Sequence, residues 1–271
     1  MTRDEAGREF VLGMEDGSWH VPHADVVVLC PQRNRYAVVI PVRNEGDRLR
    51  RQLPRMARFM DVCDIVIADA PSTDGSTEVD ALRQAGVHAV VALREPGGLS
   101  SSLRAGFAYA LRAGFQGLVL MDGNDKDDPA ALPRFVERLE AGFDFIQGSR
   151  YTVGGQAINT PLSRRLLIKL VHVPLFSALS GYRFTDTTNG FRGYSRRFLL
   201  DDRVRPFRKV FCFYELPYYL SWAASRYDFR ITEIPVIRAY PADGPIPTKI
   251  TLVRGSWRMV KPLVMLLLRR Y

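Results

Sequence analysis

A chain of 271 residues with 46% hydrophobic side chains can bury one sizeable core, so one catalytic unit with a C-terminal appendage is expected rather than two equal domains. A formal charge of +9 favours an anionic partner such as a nucleotide diphosphate, acidic lipid or nucleic acid, without choosing among them. Three cysteines without CxxC or framework spacing read as reduced structural thiols, and with neither an apolar run of about 18 residues nor a signal-peptide core to read, a cytoplasmic protein is expected.

Residues 1–35 form an N-terminal extension without clear periodicity, except that Asp25–Cys30 reads as an edge strand. From Tyr36 onward, short Val- and Ile-rich runs alternate with segments of helical spacing, which argues for a parallel sheet. The runs are Tyr36–Pro41, Asp64–Asp69, Val87–Leu93, Gly117–Met121 and Phe143–Gln147, and most are apolar throughout, as strands buried on both faces are. Helices are expected at Glu45–Phe59, Thr77–Ala85, Leu99–Ala113 and Pro129–Glu140, the last three stopped by Gly86, Gly114 and Gly142. In such sheets ligands bind beyond the carboxyl ends of the strands, here Pro41–Glu45, Asp69–Gly75 and Asp122–Asp128. Further on, Arg164–Gly181 combines cations with an apolar body, as an interfacial helix touching lipid or a core helix capped by arginines would. Residues 251–271 read as an amphipathic tail, with Val253, Trp257, Val260, Val264 and Leu267 on one face and Arg254, Arg258 and Lys261 on a neighbouring one.

The densest chemistry is Met121-Asp122-Gly123-Asn124-Asp125-Lys126-Asp127-Asp128-Pro129, with four carboxylates at a strand end before a Pro-started helix. Hard cations such as Mg²⁺ or Mn²⁺ take oxygen clusters of this kind and complete their shell with substrate phosphates. Asp127 and Asp128 serve equally well as acids at a helix N-terminus. Asp69 leaves the second strand where it can accept hydrogen bonds from a base or ribose, whereas Asp74-Gly75 is simple turn chemistry. Pro41-Val42-Arg43-Asn44-Glu45 puts backbone amides, a guanidinium and a carboxylate beside the same pocket, although Glu45 also suits the first turn of a helix. His20, His23, His88 and His172 lack ligand spacing and read as structural.

Several segments in this order resemble the motifs of family-2 glycosyltransferases, in particular the dolichyl-phosphate mannose synthase-like subgroup. They are Val38–Glu45, Asp69–Thr77, Met121–Pro129, Gly148-Ser149-Arg150-Tyr151 with Gly154-Gly155, Asp186-Thr187-Thr188-Asn189-Gly190-Phe191-Arg192, and Glu233-Ile234-Pro235-Val236. The resemblance implies a GT-A Rossmann-like α/β fold over 36–250, with a mostly parallel sheet flanked by helices, a nucleotide-sugar half at 36–150 and an acceptor half at 151–250. It implies that Pro41, Glu45 and Asp69 contact the nucleotide, joined by Val42, Arg43, Asp122 and Gly123, and that Asp122 and Asn124 bind the metal, with Asp125 or Asp127 as the next oxygen. Arg150 and Arg164, together with Lys249, fall where the acceptor's lipid phosphate is held, and Arg192 where a phosphate-facing arginine is expected. The chain departs from the pattern at Asn124, which replaces the second acid of D-x-D, at Ala70, which replaces an aspartate, at Val42-Arg43 after the first-strand proline, and at Ser100.

The implied reaction is a metal-dependent inverting displacement from a GDP- or UDP-linked sugar to a polyprenyl phosphate, with peripheral contact at the inner membrane surface. A phosphate acceptor needs no general base; for a hydroxyl acceptor Asp186 is the candidate base and Glu215 the reserve, while Asp186 is equally placed to orient Arg192 by a salt bridge. A soluble small-molecule acceptor and a non-catalytic nucleotide-sugar binding module remain the alternatives. Nucleic acid is not expected, because the positive charges are dispersed and no groove-reading or stacking motif accompanies them.

Overall fold

The computed structural model describes residues 9–12, 19–241, 262–268 and 271. Lys249 and most of the tail expected at 251–271, including Trp257, Arg258 and Lys261, lie outside the described residues. The strands, in chain order, are β1 (Glu9–Leu12), β2 (Ala24–Val28), β3 (Tyr36–Val42), β4 (Asp64–Asp69), β5 (Ala89–Leu93), β6 (Gly117–Leu120), β7 (Phe145–Ser149), β8 (Gln156–Ile158), β9 (Arg192–Ser195), β10 (Ile231–Pro235) and β11 (Ile237–Ala239). Nine of them form one sheet in the order β1-β2-β5-β4-β3-β6-β9-β7-β10. Within that sheet β2 and β9 run against the other seven, so the fold is α/β with a mixed, mostly parallel sheet. The run expected as an edge strand is β2, and it lies inside the edge because β1 pairs along its outer side.

Successive side chains of a strand point to opposite faces, and here both faces are buried. Along β3, Ala37 and Val39 enter one core, while Val38 and Ile40 enter the other. The first core is completed by α3 (Leu99–Arg112), α6 (Val173–Ser180), α7 (Arg196–Leu200) and α8 (Glu215–Arg226), and the second by α1 (Asp47–Met56), α2 (Val79–Gln84) and α4 (Leu132–Glu140). Helix spacing explains the packing: Leu49, Leu53 and Met56 share one face of α1, and Leu132, Phe135, Val136 and Leu139 share one face of α4. Gly86, Gly114 and Gly142 close their helices with φ of 74°, 91° and 80°, where an L side chain is strained. Before α4 the chain makes a 3₁₀ turn at Pro129–Ala131, and Asp128 caps it by accepting from the Ala130 amide at 3.2 Å.

Beyond the sheet, α5 (Leu162–Leu167) runs through a π-type turn at Ile168–His172 into α6. Strands β8 and β11 form a separate parallel pair. The β11 segment is also bound to the loop after β6: Asp128 N donates to Ile237 O at 3.0 Å and Ala239 N to Lys126 O at 2.8 Å. A residue pair more than a hundred positions apart, Asp127 and Arg238, is thereby placed face to face.

Candidate active site

A cavity of about 950 Å³ opens at the carboxyl ends of β3 and β6, where a doubly wound sheet places its ligands. Its lining comes from Pro41, Val42, Arg43 and Glu45 at the end of β3, from Asp122, Gly123 and Asn124 after β6, and from Arg150, Arg164 and Arg192. Seven of the lining side chains are basic and two, Glu45 and Asp122, are acidic. Such a lining favours a polyanion.

The Asp122–Asp125 segment is held by α1. Gln52, fully buried on the apolar face of that helix, donates from Nε2 to Asp122 O at 2.9 Å and accepts the Asp125 amide on Oε1 at 2.8 Å. This clamp fixes the backbone on both sides of Gly123-Asn124 and holds Asp125 at φ 58°, a strained angle for a side-chain-bearing residue. The Asp125 carboxylate consequently turns to α1, pairing with Arg55 at 2.7 Å and Arg51 at 3.3 Å, and it does not line the cavity. Asp122 and Asn124 remain as the adjacent oxygen donors. Asn124 Nδ2 donates to Asp122 Oδ2 at 3.2 Å, and Asn124 Oδ1 is buried without a hydrogen-bond partner among the described residues. An orphaned amide oxygen beside an ionised carboxylate suits a hard divalent cation, which would take the rest of its shell from phosphate and water.

Asp122 does not stand alone. Arg238 donates from one guanidinium nitrogen to Asp122 Oδ2 at 2.8 Å and from the other to Asp127 Oδ2. Burial raises the Asp122 pKa, but the charges of Arg238 and Lys126 outweigh it and hold the carboxyl below the ordinary range, so it is ionised at neutral pH. Asp127 is fully buried, and burial pushes its pKa up. Lys126 lies 4.9 Å from the Tyr240 ring centre, and Arg164 donates to the Tyr240 hydroxyl at 2.8 Å. Burial brings the Lys126 ammonium down to about 8, with Arg238 adding to the fall. Opposite the carboxylate, Gly190 leaves room that a side chain would take, since a Cβ there would lie 3.0 Å from Asp122 Oδ1.

The expected acceptor-side residues are arranged differently from the sequence reading. Asp186 pairs with Arg150, through Nε at 2.7 Å and Nη2 at 2.9 Å, and not with Arg192. It also accepts from the amides of Arg150 at 3.2 Å and Thr188 at 3.1 Å. Burial acts to raise the Asp186 pKa, yet Arg150 and these amides hold it below the ordinary range. Arg192 is buried and donates to three carbonyls, Asn189 O at 3.0 Å, Thr187 O at 2.9 Å and Pro217 O at 2.5 Å. It braces the Thr187–Arg192 turn behind the cavity. Glu215 accepts the Cys212 and Phe213 amides at 3.1 and 2.6 Å, which orders the loop before α8. Asp69 accepts from Ser72 Oγ at 2.6 Å and Thr77 Oγ1 at 3.3 Å, shaping its own turn beside the cavity, and Glu45 pairs with Arg48 at 3.1 Å.

Sequence reasoning missed Gln52, Arg238, Tyr240 and the role of Glu233. Gln52 carried a local signal, a polar residue at a core position of an amphipathic helix. Glu233 accepts both the Thr185 amide at 2.9 Å and the Thr185 hydroxyl at 2.7 Å, holding the start of the Asp186 turn. Arg238 and Tyr240 reach the site only through the pairing of β11 with the 126–128 loop, for which the sequence has no local marker.

Residues 37–202 match the family model described as Glycosyl transferase family 2. The chain is 32% identical over 207 residues to a polyprenol monophosphomannose synthase of Mycolicibacterium smegmatis, covering 74% of this chain and 76% of that protein. It is 31% identical over 163 residues to an undecaprenyl-phosphate mannosyltransferase of Micrococcus luteus, covering 59% and 66%. Among solved structures, glucosyl-3-phosphoglycerate synthase of Mycobacterium tuberculosis, crystallised with Mn²⁺, UDP and glucosyl-3-phosphoglycerate, superimposes with a TM-score of 0.61 at 18% identity, covering 87% of this chain and 79% of that one. At that identity the likeness shows the GT-A fold.

Proposed function

We propose, from the premise that this chain belongs to glycosyl transferase family 2, that it moves a sugar from a nucleoside diphosphate donor to a polyprenyl phosphate. The observation that carries the acceptor class is the imbalance of charge in the cavity together with the absence, among its described lining residues, of a carboxylate beyond Asp122 and Glu45. Asp186, the expected base, gives its oxygens to Arg150 and Thr188 inside the protein. An acceptor that is already an anion attacks without a base and is attracted by these cations.

Asp122 and Asn124 are the residues that would hold Mg²⁺ or Mn²⁺, which supplies Lewis-acid stabilisation of the departing diphosphate. The Pro41–Glu45 segment binds and orients the donor, and Gly123 lies close beneath it, since a Cβ there would come within 3.3 Å of Val42 Cγ2. Lys126, Arg164 and Arg238 stabilise negative charge that grows on the leaving group or arrives with the acceptor. Attack from the acceptor side, opposite the leaving diphosphate, inverts the anomeric centre.

The lipid reading has a second support. On α5 and the following turn, Leu162, Leu166, Leu170 and Val171 are exposed, while Arg164 and Ile168 of the same segment line the cavity. One face thus meets the anionic ligand and the other offers an apolar row flanked by Arg165 and Lys169, as a helix lying on an anionic membrane does. None of the described helices is long and apolar enough to cross a membrane. A thermal-shift screen of GDP- and UDP-sugars with and without Mn²⁺, followed by transfer to a polyprenyl phosphate in detergent, tests the reading. Transfer to small soluble hydroxyl acceptors but not to the lipid phosphate would sink it.

A further inference from the structure

We propose that Arg238 is a resident counter-cation of Asp122 that keeps the divalent-cation site weak until the donor's diphosphate arrives. The inference rests on the reading of Asp122 and Asn124 as the metal-holding pair and adds what controls them. One carboxylate oxygen, Asp122 Oδ2, already accepts from both Arg238 and Asn124. The other faces the space left by Gly190, near the cavity. Arg238 cannot drift away easily: its second nitrogen is bound to buried Asp127, and the flanking β11 backbone is bonded to Lys126 O and Asp128 N.

The local charge explains the consequence. Asp122 and Asp127 contribute −2, and Arg238 and Lys126 contribute +2, so an incoming Mn²⁺ meets a cluster of zero formal charge. A pair of free acids would offer it −2. The negative charge that favours the ion must come with the diphosphate, so cation and nucleotide bind with positive coupling. Asn124, neutral where a second acid would be anionic, pushes in the same direction.

Mn²⁺ affinity of the full chain, read from the electron paramagnetic resonance signal of the free ion, tests this without using turnover. In the wild type, affinity is expected to rise at least tenfold when GDP or UDP is present. The variant R238M takes the cluster from zero to −1 and frees Asp122 Oδ2; it is expected to bind Mn²⁺ at least tenfold tighter than wild type without nucleotide. Circular dichroism checks that it folds, and R238K, which keeps the charge but loses the two-pronged grip, gives a second arm with an expected gain of at least threefold. Unchanged or weaker affinity in the folded variants, with nucleotide-dependent Mn²⁺ binding intact in the wild type, overturns the role of Arg238. No Mn²⁺ binding by any form with nucleotide present overturns the metal reading itself.

Discussion

Two arginine–aspartate pairs, Arg150–Asp186 and Arg238–Asp122, lie at this site, and they differ in how many donors each carboxylate has already taken. Arg150 and Asp186 are sealed: the aspartate has no exposed surface and its oxygens are taken by a bidentate guanidinium and by backbone amides. Arg238 and Asp122 are open: the Asp122 side chain keeps 26% of its surface, and one oxygen faces the cavity. The same ion pair therefore organises a turn in one place and leaves a carboxylate edge open in the other. Residue type alone does not distinguish them; the number of donors already spent on the carboxylate does.

The sharpest way to break the comparison is R150M. It leaves Asp186 charged and buried, and the expected cost is about 3–5 kcal/mol of unfolding free energy, measured by urea denaturation. A loss under about 1 kcal/mol would mean that the pair is not sealed. D122N should do the reverse, costing stability about 1 kcal/mol or less while lowering the transfer rate by about 10²–10³-fold. Turnover equal to wild type would remove Asp122 from the chemistry.

A third test probes the sealed side through pH. His172, whose Nδ1 lies 2.7 Å from the Thr187 hydroxyl, has its pKa lowered by burial to about 4. Between about 6.5 and about 4 the unfolded chain binds a proton that the folded chain does not, so stability falls as pH falls through this window. From pH 7 to pH 5 the histidine's share of the loss is about 2 kcal/mol, and H172Q should flatten that part of the profile. An identical slope in the variant would assign the loss elsewhere. The smallest effect concerns the lipid-facing row: Leu170 is 70% exposed, so L170E should leave the melting temperature unchanged while reducing binding to anionic vesicles about tenfold. Unchanged vesicle binding would place the membrane contact on another surface.

Much of the donor side was legible before the structure. Asp64–Asp69 appears as a strand with the expected bounds, because a run buried on both faces is apolar through its interior, here Ile65–Ala68, and needs no partner to be recognised. The strand-end rule then points to Pro41–Glu45, Asp69–Gly75 and Asp122–Asp128; the cavity takes most of the first, Ala70 alone of the second, and Asp122, Gly123, Asn124 and Lys126 of the third. What was hidden depends on long-range contacts. Asp125 stood as the next candidate oxygen after Asp122 and Asn124, but the clamp from Gln52 turns it to α1. Asp186 looked free to serve Arg192, yet β7 ends at Ser149, delivering Arg150 against it first. Spacing reports which face of an element a residue shares; it does not report which of several arginines arrives.

The central claim is that the acceptor attacks as a phosphate. It is tested most directly by offering the protein, with its preferred sugar nucleotide and Mn²⁺, a polyprenyl phosphate and the matching polyprenol in parallel detergent reactions. The expected result is a glycosylated lipid phosphate and no product from the alcohol, because the two carboxylates among the described lining residues, Asp122 and Glu45, are paired with Arg238 and Arg48. Comparable transfer to the alcohol would contradict it.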